Sequence, residues 1–143
     1  MDIRSDIESW FPNIIGNNFK IIKTTGDFNC VSYTLDIFDG WMWTNTEIWP
    51  YKEVPRNLGL NSFKMLYNIY GYVKNCISEK KKKKKKIAFY SKDKTPTHAC
   101  KQYRNIWRSK LGPSVIIEHE LDWICGYADD AYGEVAFIMK RGK

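Results

Sequence analysis

The sequence predicts an α+β domain, with helices in the N-terminal part and an antiparallel sheet in the C-terminal part. Three observations carry that reading. Apolar residues at helical spacing are confined to the first half, as in Phe63, Leu66, Tyr67 and Tyr70. Short apolar runs separated by turn residues fill the second half, the pattern of sequential antiparallel strands. A 43% apolar content, with six Trp, nine Tyr and seven Phe, is enough for one core in 143 residues. No repeat or linker divides the chain, so residues 1–143 read as a single domain.

Taken in order, Asp6 to Pro12 places Ile7, Trp10 and Phe11 on one side of a short helix that Pro12 ends. Phe19 to Lys23 reads as a strand. After the turn-rich Thr24–Asn29, residues Cys30 to Phe38 have helical spacing, with Asp27 or Asn29 as cap and Asp39-Gly40 as stop. The clearest helix is Leu60 to Cys76, capped by Asn61 or Ser62 and weakened or ended by Gly71. Ile87–Tyr90, Thr97–Tyr103 and Ile106–Leu111 form a meander with turns at Ser91–Lys94 and Arg104-Asn105. Ile116–Ile124 fits a short helix or a strand, and Glu134–Met139 closes the domain as a strand.

The net charge of +7 comes from one place. Without the seven consecutive lysines Lys80–Lys86, 16 basic residues face 16 acidic ones. Such a single-sign block repels itself and reads as a flexible, solvated loop, able at most to make non-specific contact with anionic partners. Specific nucleic-acid binding is not expected. No run approaches the roughly 20 apolar residues of a membrane span. The first residues, Met1 to Asp6, lack the pattern of a secretory signal, so a cytoplasmic location is expected.

Cys30, Cys76, Cys100 and Cys125 contain no CxxC pair, and His98 and His119 fall in no zinc pattern, so neither a metal nor a cofactor is expected. Free thiols follow in a reducing compartment. Cys30 stands apart because it alone falls in a predicted first helical turn, where the helix dipole favours thiolate. Cys76 lies at the wrong helix end, Cys100 shares a strand face with His98, and Cys125 sits beside Trp123 and Ile124. His98, on a strand, is the better proton acceptor. His119 lies between Glu118 and Glu120, which should keep it solvated or salt-bridged. Ser109 on the returning strand is the candidate to orient His98, with Glu118 and His119 as alternatives. Trp41, Trp43 and Trp49 would wall a substrate groove.

The order of a cysteine at a helix start, a histidine on a strand and a polar residue on the next strand resembles the papain-like cysteine hydrolases. Several segments also resemble a family of short uncharacterised bacterial proteins, between about Phe19 and Lys140. They include Phe28-Asn29-Cys30, Trp41-Met42-Trp43, Trp49-Pro50, Pro96-Thr97-His98-Ala99, Trp107 to Gly112, Ile117 to Leu121 and Tyr132-Gly133. The resemblance implies a papain-like fold and transfers no activity. No Gln precedes Cys30 at the papain oxyanion position, so Asn29 or backbone N–H groups would serve there. Two functions follow as expectations. One is a cysteine hydrolase or transferase acting on an amide, peptide or isopeptide bond of a protein or peptide substrate, through Cys30, His98 and Ser109. The other is a non-catalytic interaction module that uses the aromatic groove and the basic loop.

Overall fold

The computed structural model describes residues 3–24, 26–43, 59–74 and 85–141. Within them, helix α1 (Ile3–Trp10) buries Ile7 and ends before Pro12, which starts a 3-10 turn (Pro12–Ile14) at the position where its missing N–H is least costly. Helices α2 (Cys30–Thr34) and α3 (Leu60–Ile69) follow. Seven strands, β1 (Lys20–Ile22), β2 (Val73–Lys74), β3 (Lys85–Lys92), β4 (Thr95–Tyr103), β5 (Ile106–Lys110), β6 (Ile116–His119) and β7 (Glu134–Arg141), form one sheet. Their order is β1-β6-β5-β4-β3-β7-β2, and every pairing is antiparallel. The architecture is therefore mixed α+β.

Several boundaries differ from the sequence reading. The helix starting at Cys30 stops at Thr34 instead of reaching Phe38, because Asp36 takes a left-handed conformation (φ 59°). Lys101 and Lys85 hold the Asp36 carboxylate there at 2.8 and 3.5 Å. The α3 cap is Gly59, and neither Asn61 nor Ser62 serves. Gly71 (φ 91°) ends that helix, so Val73–Lys74 pairs with β7 as a strand. Lys85 and Lys86 belong to β3. Ile116–Ile124 divides into β6 and a 3-10 turn at Leu121–Ile124. The turns at Asp93-Lys94 and Arg104-Asn105 close tight hairpins, with Asp93, Lys94 and Arg104 all at positive φ.

Strand alternation divides the core between the two faces of the sheet. On one face Phe63, Leu66 and Tyr67 of α3 and Cys30 and Val31 of α2 pack with Ile87, Phe89 and Ala99. On the other, Ile7 and Phe11 pack with Ala88, Tyr90, Cys100, Trp107 and Ile117. Helical segments thus cover both faces of the sheet. β4 and β5 stay paired only from Lys101↔Arg108 to the hairpin, so the first part of β4 is open on the β5 side. The start of α2 packs at that opening. No helix among the described residues is long and apolar enough to cross a membrane.

Candidate functional site

Cys30 is the first residue of α2, and Asn29 is its N-cap. The Asn29 Oδ1 accepts from the Ser32 backbone N–H (3.1 Å), the Ser32 hydroxyl (2.8 Å) and the Met42 N–H (3.1 Å), while Nδ2 donates to the Met42 carbonyl (3.1 Å). One carboxamide therefore caps the helix and ties the Trp41–Trp43 segment to it. The helix is too short to supply much dipole, and Cys30 is buried. Burial pushes its thiol up to about 11, although the backbone N–H groups of Ala99, Val31 and Cys30 itself and the Lys110 ammonium all favour the thiolate. The expectation of a resting thiolate is thereby corrected: desolvation outweighs the helix start.

His98, on β4, is also buried. Its Nε2 lies 2.8 Å from the Ser109 Oγ, which lies 2.6 Å from the Nε2 of His119; the His119 Nδ1 in turn lies 2.7 Å from the Glu120 carbonyl oxygen. Register explains the chain. Gln102↔Trp107 and Trp107↔His119 are facing pairs, so positions 98 and 100 of β4, 107 and 109 of β5, and 117 and 119 of β6 share one face. Alternation also corrects the expectation for His119. Its neighbour Glu118 points outward to Arg108 (2.6 and 2.9 Å), and His119 points inward and is fully buried.

Burial lowers the His98 pKa well below the ordinary histidine value and lowers that of His119 to about 4. Both rings are neutral at pH 7, and no carboxylate among the described residues faces them. The Tyr132 ring stacks on His98, with centroids 3.9 Å apart and planes 3° from parallel. Lys110, the next residue after Ser109, faces the opposite side, where its Nζ donates to the Gly112 carbonyl (2.6 Å) and sits over the Phe28 ring.

Asn29, Cys30, Trp41, Trp43 and His98 line one cavity of about 510 Å³, completed by Thr97, Gly112 and Tyr132. Cys30 and His98 share this wall without a hydrogen bond between them. Ser109 lies behind the imidazole. Trp49, Cys76 and Lys80–Lys84 lie outside the described residues, so the groove wall expected at Trp49 and the lysine loop gain no structural account. Cys100 is buried and Cys125 half-buried. Among the described residues no cluster of three His, Cys, Asp or Glu is placed to hold a metal ion.

One residue of the site escaped the sequence reading: Tyr132 follows an irregular segment, and nothing local indicates that it stacks on His98. His119 stood there only as an alternative to Ser109, because its flanking carboxylates suggested a solvated ring, although the alternation of Ile117-Glu118-His119 carried the signal that it turns inward.

No curated protein and no solved structure matches the chain. Residues 20–140 match the family described as a domain of unknown function, DUF7689. The match runs from β1 into β7 and takes in every residue of the cavity, so the protein belongs to the DUF7689 family.

Proposed function

We propose that the protein is a cysteine-dependent hydrolase or acyltransferase of papain-like plan, acting on an amide, peptide or isopeptide bond. The observation that carries this reading is the single cavity shared by Cys30 and His98, with His98 held from behind by Ser109 (2.8 Å). A substrate carbonyl carbon enters beside Sγ. The S–H proton passes to the bare imidazole nitrogen of His98, directly on approach or across one water. The S–C bond forms as the carbonyl π pair moves to oxygen, and the backbone N–H groups around Sγ, those of Ala99, Val31 and Cys30, are available donors to that oxyanion.

Collapse of the tetrahedral adduct expels the amine, which takes its proton from His98. Water, deprotonated by His98, or an acceptor amine then cleaves the thioester. Because thiol and imidazole are both neutral at rest, the proton moves during attack. Trp41, Trp43 and Tyr132 give the cavity apolar walls suited to a peptide or acyl side chain.

The test is acyl transfer from p-nitrophenyl acetate, followed by mass spectrometry of the peptides. The expected result is an acetyl group on Cys30 in preference to the other three cysteines, lost in Cys30→Ser and strongly reduced in His98→Ala. Equal acetylation of all four cysteines sinks the reading and leaves the cavity as a binding groove.

A further inference from the structure

We infer that His119 is a positioning residue: acting through the Ser109 hydroxyl, it holds His98 in the tautomer with a proton on Nε2 and a bare Nδ1. The consequence for catalysis rests on the hydrolase reading, whereas the tautomer itself follows from the hydrogen bonds and the burial of the two rings.

The hydrogen-bond chain is fixed at its Glu120 end. A carbonyl oxygen only accepts, so the 2.7 Å contact from the His119 Nδ1 to the Glu120 carbonyl requires a proton on Nδ1. His119 is fully buried and faces no carboxylate among the described residues, and burial keeps it neutral, so its Nε2 carries only a lone pair. The 2.6 Å contact at that nitrogen must then be a donation from the Ser109 hydroxyl. Ser109 has one proton. Its oxygen, 2.8 Å from the His98 Nε2, is left to accept there, so that nitrogen bears the imidazole proton.

Cys100 also touches Ser109, but sulfur is a weak acceptor. Turning the hydroxyl toward Cys100 would set the bare His119 Nε2 against an oxygen lone pair at 2.6 Å. The hydroxyl therefore keeps donating to the His119 Nε2.

His98 is neutral as well, so its Nδ1 is bare, and Nδ1 makes no hydrogen bond to a described residue. The two histidines thus occupy opposite tautomers, set in sequence from one backbone carbonyl. Where an aspartate fixes the imidazole in other triads, its charge also stabilises the imidazolium. Here three neutral groups fix orientation and tautomer without placing a charge in the core. That arrangement matches a site whose resting thiol is protonated. During attack His98 gains its second proton on Nδ1, while Nε2–H continues to donate to Ser109.

The chain contains only these two histidines, so a long-range proton–nitrogen correlation spectrum of histidine-labelled protein at pH 7 reads both rings at once. The expected spectrum shows one neutral ring protonated on Nε2 and one protonated on Nδ1, assigned to His98 and His119 by the signals lost in H98Q and H119Q. Two rings in the same tautomer overturn the inference.

In H119F the Ser109 hydroxyl loses its acceptor and is free to donate to His98. The expected result is His98 redistributed toward the Nδ1-protonated form, with acetylation of Cys30 lowered about tenfold or more. H119Q presents an amide oxygen to Ser109, and it should restore both the tautomer and the rate. An unchanged His98 tautomer in a folded H119F protein overturns the inference. If H119F does not fold, the wild-type spectrum decides alone. Opposite tautomers with no acyl transfer to wild-type Cys30 support the relay and defeat only the hydrolase reading.

Discussion

Tyr132 lies flat against His98, ring on ring, with 3.9 Å between centroids and 3° between planes. Both ends of its peptide unit are tied down. Its N–H donates to the Ile124 carbonyl (3.1 Å), and its own carbonyl accepts from the Thr97 hydroxyl (2.7 Å), one residue before His98. The imidazole is thus held by Ser109 at its edge and by Tyr132 on its face. Tyr132→Ala should destabilise the fold by about 3 kcal/mol and lower Cys30 acetylation, because His98 gains room to turn. Tyr132→Phe keeps the stacked ring and should stay within about 1 kcal/mol of the parent in denaturant unfolding, with its rate retained.

Gly133 makes that placement feasible. It has φ 83°, bridges to Gly126, and packs so closely on β3 that an added Cβ would collide with the Ser91 carbonyl oxygen. Gly133→Ala should cost about 3 kcal/mol through strain at positive φ combined with backbone collision. Thermal unfolding checks this, with Gly112→Ala as a comparison, where the φ of 53° is positive but the space is open.

The buried histidines make stability depend on pH. For His119 the folded pKa, about 4, lies below the ordinary 6.5, so between these values the unfolded chain binds more protons than the native one. Stability should therefore be full above pH 6.5 and fall as the pH drops toward 4, by about 3 kcal/mol for this residue alone. His98 acts in the same direction. Asp36, whose carboxyl is held below its usual value by Lys101 and Lys85, adds losses only at lower pH. Denaturant midpoints at pH 7 and pH 5 should show the loss, and H119Q should reduce it. Equal midpoints in the parent at the two pH values would show that the rings are not held neutral.

Thiol chemistry should depend on the reagent. Iodoacetamide reports exposed thiolate, and with the Cys30 thiol pushed to about 11 its labelling at pH 7 should be slower than that of half-buried Cys125. An ester that needs proton transfer should select Cys30 instead. Peptide mapping after each reagent measures both, and rapid alkylation of Cys30 at pH 6.5 would contradict a neutral resting pair.

Asn29 joins helix start to cavity wall. Asn29→Ala removes the cap and takes the Nδ2 donor from the Met42 carbonyl, while the Met42 N–H keeps the Ser32 hydroxyl (2.8 Å), which together should cost about 2 kcal/mol. Asn29→Asp keeps the acceptor while losing the donor, and its unfolding midpoint should fall in between.

The sequence by itself determined much of this protein. Period-2 and period-3.6 patterns located the main strands, α1 and the start of α3, since burial on one face imposes those periods. The turn residues around Gly26 and Asn29 placed Cys30 at a helix start. The Arg104-Asn105 turn brought Ser109 and Lys110 beside His98 with only one of them able to face it, and hydrogen-bond chemistry favoured Ser109, because a lysine cannot accept. Tertiary structure decided the rest. Asp36 turns left-handed in a helix-ending turn closed by the Ile37 N–H on the Ser32 carbonyl (2.9 Å), and only the fold brings Lys85 and Lys101, distant in sequence, to its carboxylate. The Cys30 thiol stays protonated because helices and sheet together remove it from water, a sum no local window contains. His119 and Tyr132 join the site only through strand pairing and a distant backbone clamp. Local patterns determine which way a side chain faces; long-range packing alone decides what it meets there and whether it carries charge.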